Sequence, residues 1–138
     1  MLKIIDVVAA IIEQNGKILL AQRPPHADQA GLWEFAGGKV EAGESQQEAL
    51  IRELQEELAI TAWPACYVAS HRREVSGRII HLHAWYVPRF EGELIACEHS
   101  ALVWCTPQEA QGYDLAPADV PLLAAFMALP DAKRAGWC

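Results

Sequence analysis

Three glutamates in one short segment restrict the structures that this 138-residue chain can form. Glu53, Glu56 and Glu57 stand at positions i, i+3 and i+4, so on a helix their carboxylates project together. Like charges at this spacing repel each other and weaken an isolated helix. A hard divalent cation removes that repulsion, and Mg²⁺ often bridges protein carboxylates to substrate phosphates. The segment therefore predicts a helix that supports metal-assisted phosphate chemistry.

The helix that carries these acids has identifiable ends. Ser45 is a suitable N-cap, and Glu48 three residues later completes a capping box. Apolar residues then recur with roughly the helical period, at Ala49, Leu50, Leu54 and Leu58. We therefore expect a helix over residues 45–58 with its core face opposite the acids.

The spacing around this helix matches a known motif. Gly38 is followed after five residues by Glu44, and after seven more by the run RELQEELAI at 52–60. This resembles the Nudix box, G-x5-E-x7-R-E-U-x-E-E-x-G-U, in which U is aliphatic. Ala59 stands where the motif has its last glycine, which would supply a left-handed helix cap. That departure affects only the turn, because no carboxylate is lost.

The resemblance extends over almost the whole chain. The segments AQR at 21–23, GLWEFAGGKVE at 31–41, WYVPRFEGE at 85–93 and LAPADVPLL at 115–123 have the order and spacing of MutT-like nucleoside triphosphate pyrophosphohydrolases. Within that group the chain looks most similar to the bacterial CTP pyrophosphohydrolases. Ala36 departs from the MutT pattern, which has proline before the two glycines. The resemblance implies an α/β Nudix fold with a mixed β-sheet sandwiched between α-helices.

The resemblance also implies a set of metal ligands. They are the carbonyl of Gly38 and the carboxylates of Glu53, Glu56 and Glu57, which would hold Mg²⁺ or Mn²⁺. In MutT-type proteins a glutamate in a later loop helps to bind metal, and Glu98 matches it, although an isolated loop glutamate is more often simply exposed. Glu53 is the first candidate for the general base and Glu98 the second.

Two further residues of the motif support the carboxylates. Arg52 could form an ordinary surface ion pair at i, i+4, but within a complete motif we favour a guanidinium that fixes a catalytic carboxylate. Glu44 could be helix-terminal charge, and the resemblance instead gives it a supporting role near the ligands or the attacking water.

Three residues near the motif are candidates for nucleotide contact. Arg23 closes a strand and could reach a phosphate or a base, as matching positions do in MutT-like proteins. Lys39 follows Gly38 and could equally pair with Glu41. Phe35 could stack on a base or belong to the core.

Asp119 is the candidate for recognising the base. MutT has asparagine here, where it binds an oxidised guanine, and aspartate changes the pattern because a carboxylate accepts hydrogen bonds without donating. Cytosine presents an N4 amino donor that suits such an acceptor, as do adenine and 2-oxo-adenine. The alternative is that Asp119 is a helix N-cap.

Composition and charge limit the partners. The 52% hydrophobic content suits one domain over residues 1–138. The net charge of −7 opposes binding to nucleic-acid polymers, and it would also repel a polyphosphate unless cations screened it. The apolar run at 4–12 is short and contains Asp6, so we expect neither a membrane span nor a signal peptide.

The cysteines suggest a compartment. Cys66, Cys97, Cys105 and Cys138 are widely spaced and form no C-x-x-C pair, so we expect reduced thiols in a cytoplasmic protein. We expect a monomer or a homodimer.

Hairpins and short helices complete the predicted elements. Strands at 3–12 and 17–22 join at Asn15-Gly16, and strands at 65–74 and 79–88 join around Ser76-Gly77. Residues 101–105 predict a buried strand, 106–109 a short helix start, and 119–129 a final helix. His81 and His83 alternate on one strand and share a face. They could be ligands, but sheet packing is favoured.

These patterns predict a small hydrolase that cleaves a nucleoside triphosphate to monophosphate and pyrophosphate, with CTP, dCTP or 5-modified forms favoured. One alternative is an enzyme that removes 8-oxo-dGTP or 2-oxo-dATP, which shares the chemistry. A second is a non-catalytic nucleotide-binding module, which the intact motif argues against. A third is a Ca²⁺-binding structural protein, but EF-hand spacing is absent from the sequence.

Overall fold

The computed structural model describes residues 2–130 of the chain. The elements follow one another as β1 (Lys3–Gln14), β2 (Lys17–Gln22), β3 (Trp33–Glu34), β4 (Gly37–Lys39), α1 (Gln46–Leu58), β5 (Thr61–Trp63), β6 (Cys66–Val75), β7 (Arg78–Val87), β8 (Arg89–Glu91), β9 (Ala101–Cys105), α2 (Pro107–Ala110) and α3 (Asp119–Met127).

A seven-stranded mixed sheet forms the centre of the fold. Its main path runs β3-β2-β1-β7-β6, with β4 paired to β1 and β9 paired to β2. The central pair, β1 with β7, is parallel, and the other pairings in this sheet are antiparallel. β5 and β8 form a separate two-stranded sheet.

Helices cover both faces of the central sheet. Along β1, Val8, Ala10 and Ile12 enter one core cluster with the apolar face of α1. Ala9 and Ile11 point the other way and enter a second cluster with residues of α2 and α3. The alternation follows from the period of two along a strand, and it confirms the predicted α/β sandwich.

The two hairpin turns form as expected. Asn15 and Gly16 have φ of 54° and 77°, and Ser76 and Gly77 have φ of 50° and 76°. Two consecutive residues with positive φ match the twist of the flanking strands. The strand at 101–105 forms, although only Cys105 in it is fully buried. The short helix after Thr106 is confirmed, with a capping box between Thr106 and Glu109.

The fold contains three strands that the sequence did not predict, and it corrects one expectation about the cysteines. The short strands β4, β5 and β8 were not expected, because segments of three residues carry no periodic pattern. The expectation of reduced thiols is wrong for Cys66, which is disulfide-bonded. Cys97 and Cys105 are free, and Cys138 lies outside the described residues.

Among residues 2–130, no helix combines the length and the apolar character needed to cross a bilayer.

Candidate active site

The Gly37-Gly38 strand brings the acidic helix against the sheet. A Cβ added at Gly37 would overlap the carbonyl of Val8 on the neighbouring strand, and one added at Gly38 would overlap the carboxylate of Glu53. Glycine is therefore required twice, first by strand pairing and then by a close side-chain approach. The pair forms the start of a short strand, β4, whose second residue contacts Glu53 of α1.

Arg52 connects the carboxylates around this point. Its Nε and Nη2 donate to the two carboxylate oxygens of Glu44 at 2.7 and 2.9 Å, and its Nη1 donates to Glu53 Oε1 at 2.7 Å. Nη2 also donates to the carbonyl of Lys39 at 3.0 Å, and Nη1 lies 3.5 Å from Glu56 Oε1. These bonds hold the pKa of Glu44 at about 2, with Arg52 as the largest cause. One guanidinium thus fixes the positions of two carboxylates.

The helix carries this arrangement on a well-defined frame. Ser45 caps the N-terminus and forms a capping box with Glu48, and the helix ends at Leu58 as expected. Ala59 adopts the left-handed conformation, with φ of 60°, so the turn that usually holds glycine is kept.

Glu57 departs from the expected solvent-facing row of acids. It is buried, with 6% of its surface exposed, although the sequence predicted a core face opposite the acids. Burial raises its pKa to about 9, helped by a hydrogen bond with Glu53 and by the charges of Glu53, Glu98 and Glu34. In this protonated form Glu57 is a neutral partner for Glu53, and a bound cation would favour the ionised form instead.

A chain of polar contacts runs from this helix to the β2–β3 loop. His99 Nε2 lies 3.0 Å from Glu34 Oε2 and 3.8 Å from Glu57 Oε1. Glu34 also accepts from Arg23 Nη1 at 2.9 Å, and Arg23 Nε donates to the carbonyl of Asp28. His99 Nδ1 is buried without a hydrogen-bond partner among the described residues. The geometry therefore links Arg23 to the acidic cluster through Glu34.

Two adjoining clefts surround these residues. The first, of about 420 Å³, is lined by the acidic residues Glu34, Glu57 and Glu98 together with Arg23, His99 and others. The second, of about 280 Å³, is lined by Phe35, His71, Arg73, Leu82 and Asp119 among others. Arg23, Glu34 and Gly37 line both, so a ligand could extend from one cleft into the other.

Asp119 is a buried residue that lines the second cleft. It is 5% exposed, and its Oδ1 accepts from the backbone N–H of Phe35 at 3.3 Å. Burial raises its pKa to about 8, the charge of Glu34 adds to this, and the Phe35 N–H and Arg23 oppose it. The N-cap of α3 is Ala118, which makes no side-chain capping bond, so the alternative of Asp119 as a helix cap is wrong.

Strand pairing explains how Asp119 reaches this position. Trp33 on β3 donates to the carbonyl of Asp114 and accepts from the N–H of Ala116, each at 2.8 Å. The segment before α3 is therefore anchored beside β3, and α3 begins opposite Phe35. The residues around Asp119 in the sequence do not predict this pairing with β3.

The remaining predicted residues differ in their placement. Phe35 is buried at 3% exposure in the core cluster on the α3 face, while it also borders the second cleft. Glu98 is exposed at the rim of the first cleft. Lys39 is exposed and lines neither of these two clefts, so the structure does not bring its side chain to the others.

Sequence reasoning missed several residues of these clefts. Glu34 and His99 make the contacts described above, and His71 and Arg73 reach the second cleft from β6. Arg73 follows Arg72 in a strand segment rich in polar residues. From sequence alone it therefore resembles an ordinary surface charge. Only the sheet topology, which sets β6 beside β7, reveals its position.

The donor chemistry of the first cleft suits a hard divalent cation. The candidate ligands are oxygen atoms. Glu57 and Glu98 line this cleft. Glu53, Glu56 and Gly38 lie outside its lining, and Glu53 is joined to it by the hydrogen bond with Glu57. Burial, followed by the nearby carboxylates, raises the pKa of Glu57, and a bound cation would favour its ionised form. The residues therefore fit the metal that the sequence pattern implied.

The fold and the acidic helix together define a class of metal-dependent hydrolases of phosphate anhydrides. A family model described as the NUDIX domain matches residues 3–126, and the chain belongs to this family. Hydrolases of the family depend on a divalent metal. The predicted recognition, fold and enzyme class are thereby confirmed.

Individual relatives narrow the comparison. The chain is 71% identical over 134 residues to the CTP pyrophosphohydrolase of Escherichia coli (strain K12), covering 97% of this chain and 99% of that one. It is 35% identical over 117 residues to the 8-oxo-dGTP diphosphatase of the same organism, covering 85% and 91%. The solution structure of the E. coli ORF135 protein superimposes with a TM-score of 0.86 at 70% identity, covering 98% and 94%.

Proposed function

We propose that this protein hydrolyses CTP, dCTP or their 5-modified forms to the monophosphate and pyrophosphate, using Mg²⁺ or Mn²⁺. The observation that carries the proposal is the junction of the two clefts, which share Arg23, Glu34 and Gly37. A triphosphate in the acidic cleft would extend its base toward Asp119. A relative 71% identical is a CTP pyrophosphohydrolase, and this supports the choice of base.

The acidic residues have distinct proposed roles. Glu53, Glu56, Glu57 and Glu98, with the Gly38 carbonyl, would hold the divalent cation. When bound, that cation neutralises charge on the phosphate oxygens.

Glu53 is the proposed general base, and Arg52 holds it in position. Glu53 accepts a proton from the attacking water, and the 2.7 Å bond from Arg52 keeps its carboxylate in one orientation. Glu44 is held ionised by the same guanidinium, with a pKa of about 2, so it balances the charge of Arg52 across the neutral pH range. Arg52 and Glu44 are therefore positioning residues for Glu53.

Recognition of the base is proposed for Asp119. The Phe35 N–H occupies one lone pair of its Oδ1, which leaves the rest of the carboxyl group to face the cleft. An oxygen acceptor there would bind the N4 amino group of cytosine. Phe35 itself is proposed to position Asp119 and to form part of the cleft wall.

An oxidised purine nucleotide is the competing substrate. The raised pKa of Asp119, about 8, means that its carboxyl group can also carry a proton and donate to an oxo group. A relative 35% identical is an 8-oxo-dGTP diphosphatase. This alternative uses the same acidic cleft and differs only in the base.

The decisive experiment measures kcat/KM with Mg²⁺ for CTP, dCTP, 5-methyl-dCTP, UTP, dATP, 8-oxo-dGTP and 2-oxo-dATP, with pyrophosphate release as the readout. We expect the cytosine nucleotides to lead. A clear preference for 8-oxo-dGTP would support the alternative, and release of orthophosphate in place of pyrophosphate would contradict the proposed reaction.

Variant enzymes assign the activity to this site. Glu53→Gln should lose activity on every substrate, while Glu93→Gln, at an exposed position outside the two clefts, should keep it. Equal activity in both variants would show that the acidic cleft is not the catalytic site.

A further inference from the structure

Two histidines and one aspartate meet on the sheet outside both clefts. In the parallel pairing of β1 with β7, Asp6 lies opposite His81, and Val8 lies opposite His83. Val8 belongs to the core cluster on the α1 face. Because strand residues two apart share a face, Asp6, His81 and His83 project from that face.

The three side chains converge closely enough to share one ion. One ligand atom from each lies within 4.8 Å of the others. Asp6 Oδ1 is 2.9 Å from His83 Nε2 and 3.6 Å from His81 Nδ1. Both histidine side chains are largely buried, at 7% and 18% exposed, whereas that of Asp6 is 48% exposed. The group is therefore held by the fold and still open to solvent on one side.

His83 has a second partner that suits a metal ligand. Its Nδ1 lies 2.8 Å from the hydroxyl of Tyr67. Metal-binding histidines commonly donate their other ring N–H to a fixed acceptor, which sets the tautomer and the ring orientation. Without an ion, Nε2–H donates to Asp6 at 2.9 Å. With an ion bound, a Tyr67 oxygen that accepts from Nδ1–H would leave Nε2 without hydrogen and directed at the space shared with Asp6.

We propose that Asp6, His81 and His83 bind one divalent transition-metal ion of the Zn²⁺ class, separate from the cation of the acidic cleft. Two imidazoles and one carboxylate suit Zn²⁺ and its neighbours, whereas Mg²⁺ prefers oxygen ligands. Three protein ligands leave a fourth position of a tetrahedral ion for solvent, on the side where Asp6 is exposed.

The charges near the cluster are compatible with the ion. Burial lowers the pKa of His81, and His83 and Arg72 lower it further, so this imidazole is neutral and can bind metal. The positive charge of Arg72 disfavours binding of a cation, and the negative charge of Asp6 offsets this effect. The ion would join β1 to β7 at the centre of the sheet and make no contact with the residues proposed for catalysis.

The test is a calorimetric titration with Zn²⁺ in excess Mg²⁺, which occupies the oxygen ligands of the acidic cleft. The background carries Glu56→Gln and Glu57→Gln to weaken zinc binding in that cleft, and Cys97→Ser to remove the exposed thiol. We expect one equivalent of Zn²⁺ to bind this background protein. Ring-nitrogen NMR shifts should change for His81 and His83 and stay unchanged for His26.

Four variants then locate the ion. His83→Gln, His81→Gln and Asp6→Asn should each weaken Zn²⁺ binding by more than tenfold, and Tyr67→Phe by about tenfold as loss of an outer partner. Asp6→Asn keeps an oxygen that accepts from His83, so it preserves the fold even if a histidine variant does not. His26→Gln, at an exposed histidine that borders the first cleft, is the control for zinc bound in that cleft and should leave the binding unchanged.

Two outcomes would overturn the proposal. If the background protein binds no Zn²⁺, the cluster is only a hydrogen-bonded group. If Zn²⁺ binds with equal affinity in the Asp6, His81 and His83 variants, the ion occupies another place. Neither outcome affects the proposed hydrolase activity, which is measured separately with Mg²⁺.

Discussion

Glu53 has close contacts on several sides of its carboxylate. It contacts the backbone of Gly38, accepts from Arg52 and shares a hydrogen bond with Glu57. Its orientation is thus determined by one residue of β4 and by two residues of its own helix, α1. This is the condition for a general base, whose proton transfer depends on position before it depends on pKa.

Replacing Glu53 by glutamine separates charge from shape. The amide oxygen still accepts from Arg52, and one of the repelling charges on α1 is lost, so the free energy of unfolding without metal should be equal to or higher than that of the wild type. We expect kcat to fall on the order of a hundredfold or more. Steady-state kinetics and thermal melts check both parts, and near wild-type turnover would remove Glu53 from the mechanism.

Asp119 offers a test of base selection. Asp119→Asn keeps an oxygen that accepts from the Phe35 N–H and adds an amide donor. Relative kcat/KM should therefore move from CTP toward oxo-bearing bases, by about 1–3 kcal/mol. Activities on CTP, UTP and 8-oxo-dGTP measure the shift.

Asp119→Ala is the companion variant. It leaves the buried Phe35 N–H without its acceptor, so stability should fall by about 1–3 kcal/mol, and activity on amino-bearing bases should decrease with little gain elsewhere. A uniform loss across all bases in both variants would show that Asp119 supports the fold without selecting the substrate.

At the scale of elements, β4 places two different demands on its two glycines. An added Cβ at Gly37 meets strand backbone, which cannot move. One at Gly38 meets the carboxylate of Glu53, which can rotate away only by losing its contacts with Arg52 and Glu57. Gly37→Ala should lower the free energy of unfolding by about 1–3 kcal/mol. Gly38→Ala should keep stability near the wild-type value and lower kcat/KM on the order of a hundredfold.

Melting temperatures and kinetics of both variants distinguish these effects. If Gly38→Ala keeps full activity, Glu53 does not need its contact with β4.

The turn after α1 provides a stabilising substitution. Ala59 has φ of 60°, a conformation that costs an L-residue about 1–2 kcal/mol relative to the right-handed helix. Ala59→Gly should therefore raise the free energy of unfolding by up to about 1 kcal/mol, after the greater flexibility of glycine in the unfolded chain is subtracted. Ala124→Gly, at an exposed position inside α3, is the control and should lose about 1 kcal/mol. Equal losses in the two variants would contradict the assigned turn.

Elements with a strong local pattern could be predicted from sequence, and those defined by pairing could not. Asn15-Gly16 and Ser76-Gly77 prescribe tight hairpins, and Ser45 with Glu48 prescribes the start of α1, because neighbouring residues alone decide these structures. β4 exists only because β1 lies beside it. The grouping of Glu34 with His99, and of Arg73 with Asp119, likewise depends on the sheet order, which requires contacts far apart in sequence.

At the scale of the whole molecule, two buried carboxyl groups connect stability with pH. The pKa of Asp119 rises from 3.8 to about 8 and that of Glu57 from 4.5 to about 9. At a pH between the ordinary and the raised pKa of each group, the native state binds more protons than the unfolded state. The free energy of unfolding therefore falls as pH rises through this range. The metal-free protein should therefore lose stability as pH increases from about 4 toward about 8.

A variant of Asp119 and the addition of Mg²⁺ separate the contributions of Asp119 and Glu57 to this pH dependence. Asp119→Asn should make this decline shallower, and saturating Mg²⁺ should raise the melting temperature more at high pH, where Glu57 can ionise. Denaturant melts across the pH range, with and without Mg²⁺, provide the measurement. The Mg²⁺-induced rise should vanish in the Glu56→Gln, Glu57→Gln double variant, and an unchanged rise there would place the cation elsewhere.

The parallel pair of β1 and β7 also determines the order in which the molecule can be assembled. In their register Lys3 pairs with Arg78 and Ile12 pairs with Val87. The two central strands can therefore pair only after residues up to 87 have been synthesised. Loop closure over such a distance slows folding, and during synthesis β1 and α1 emerge well before their partner. The glutamates of α1 repel one another during that interval, so the acidic cleft should be among the last parts of the protein to become ordered.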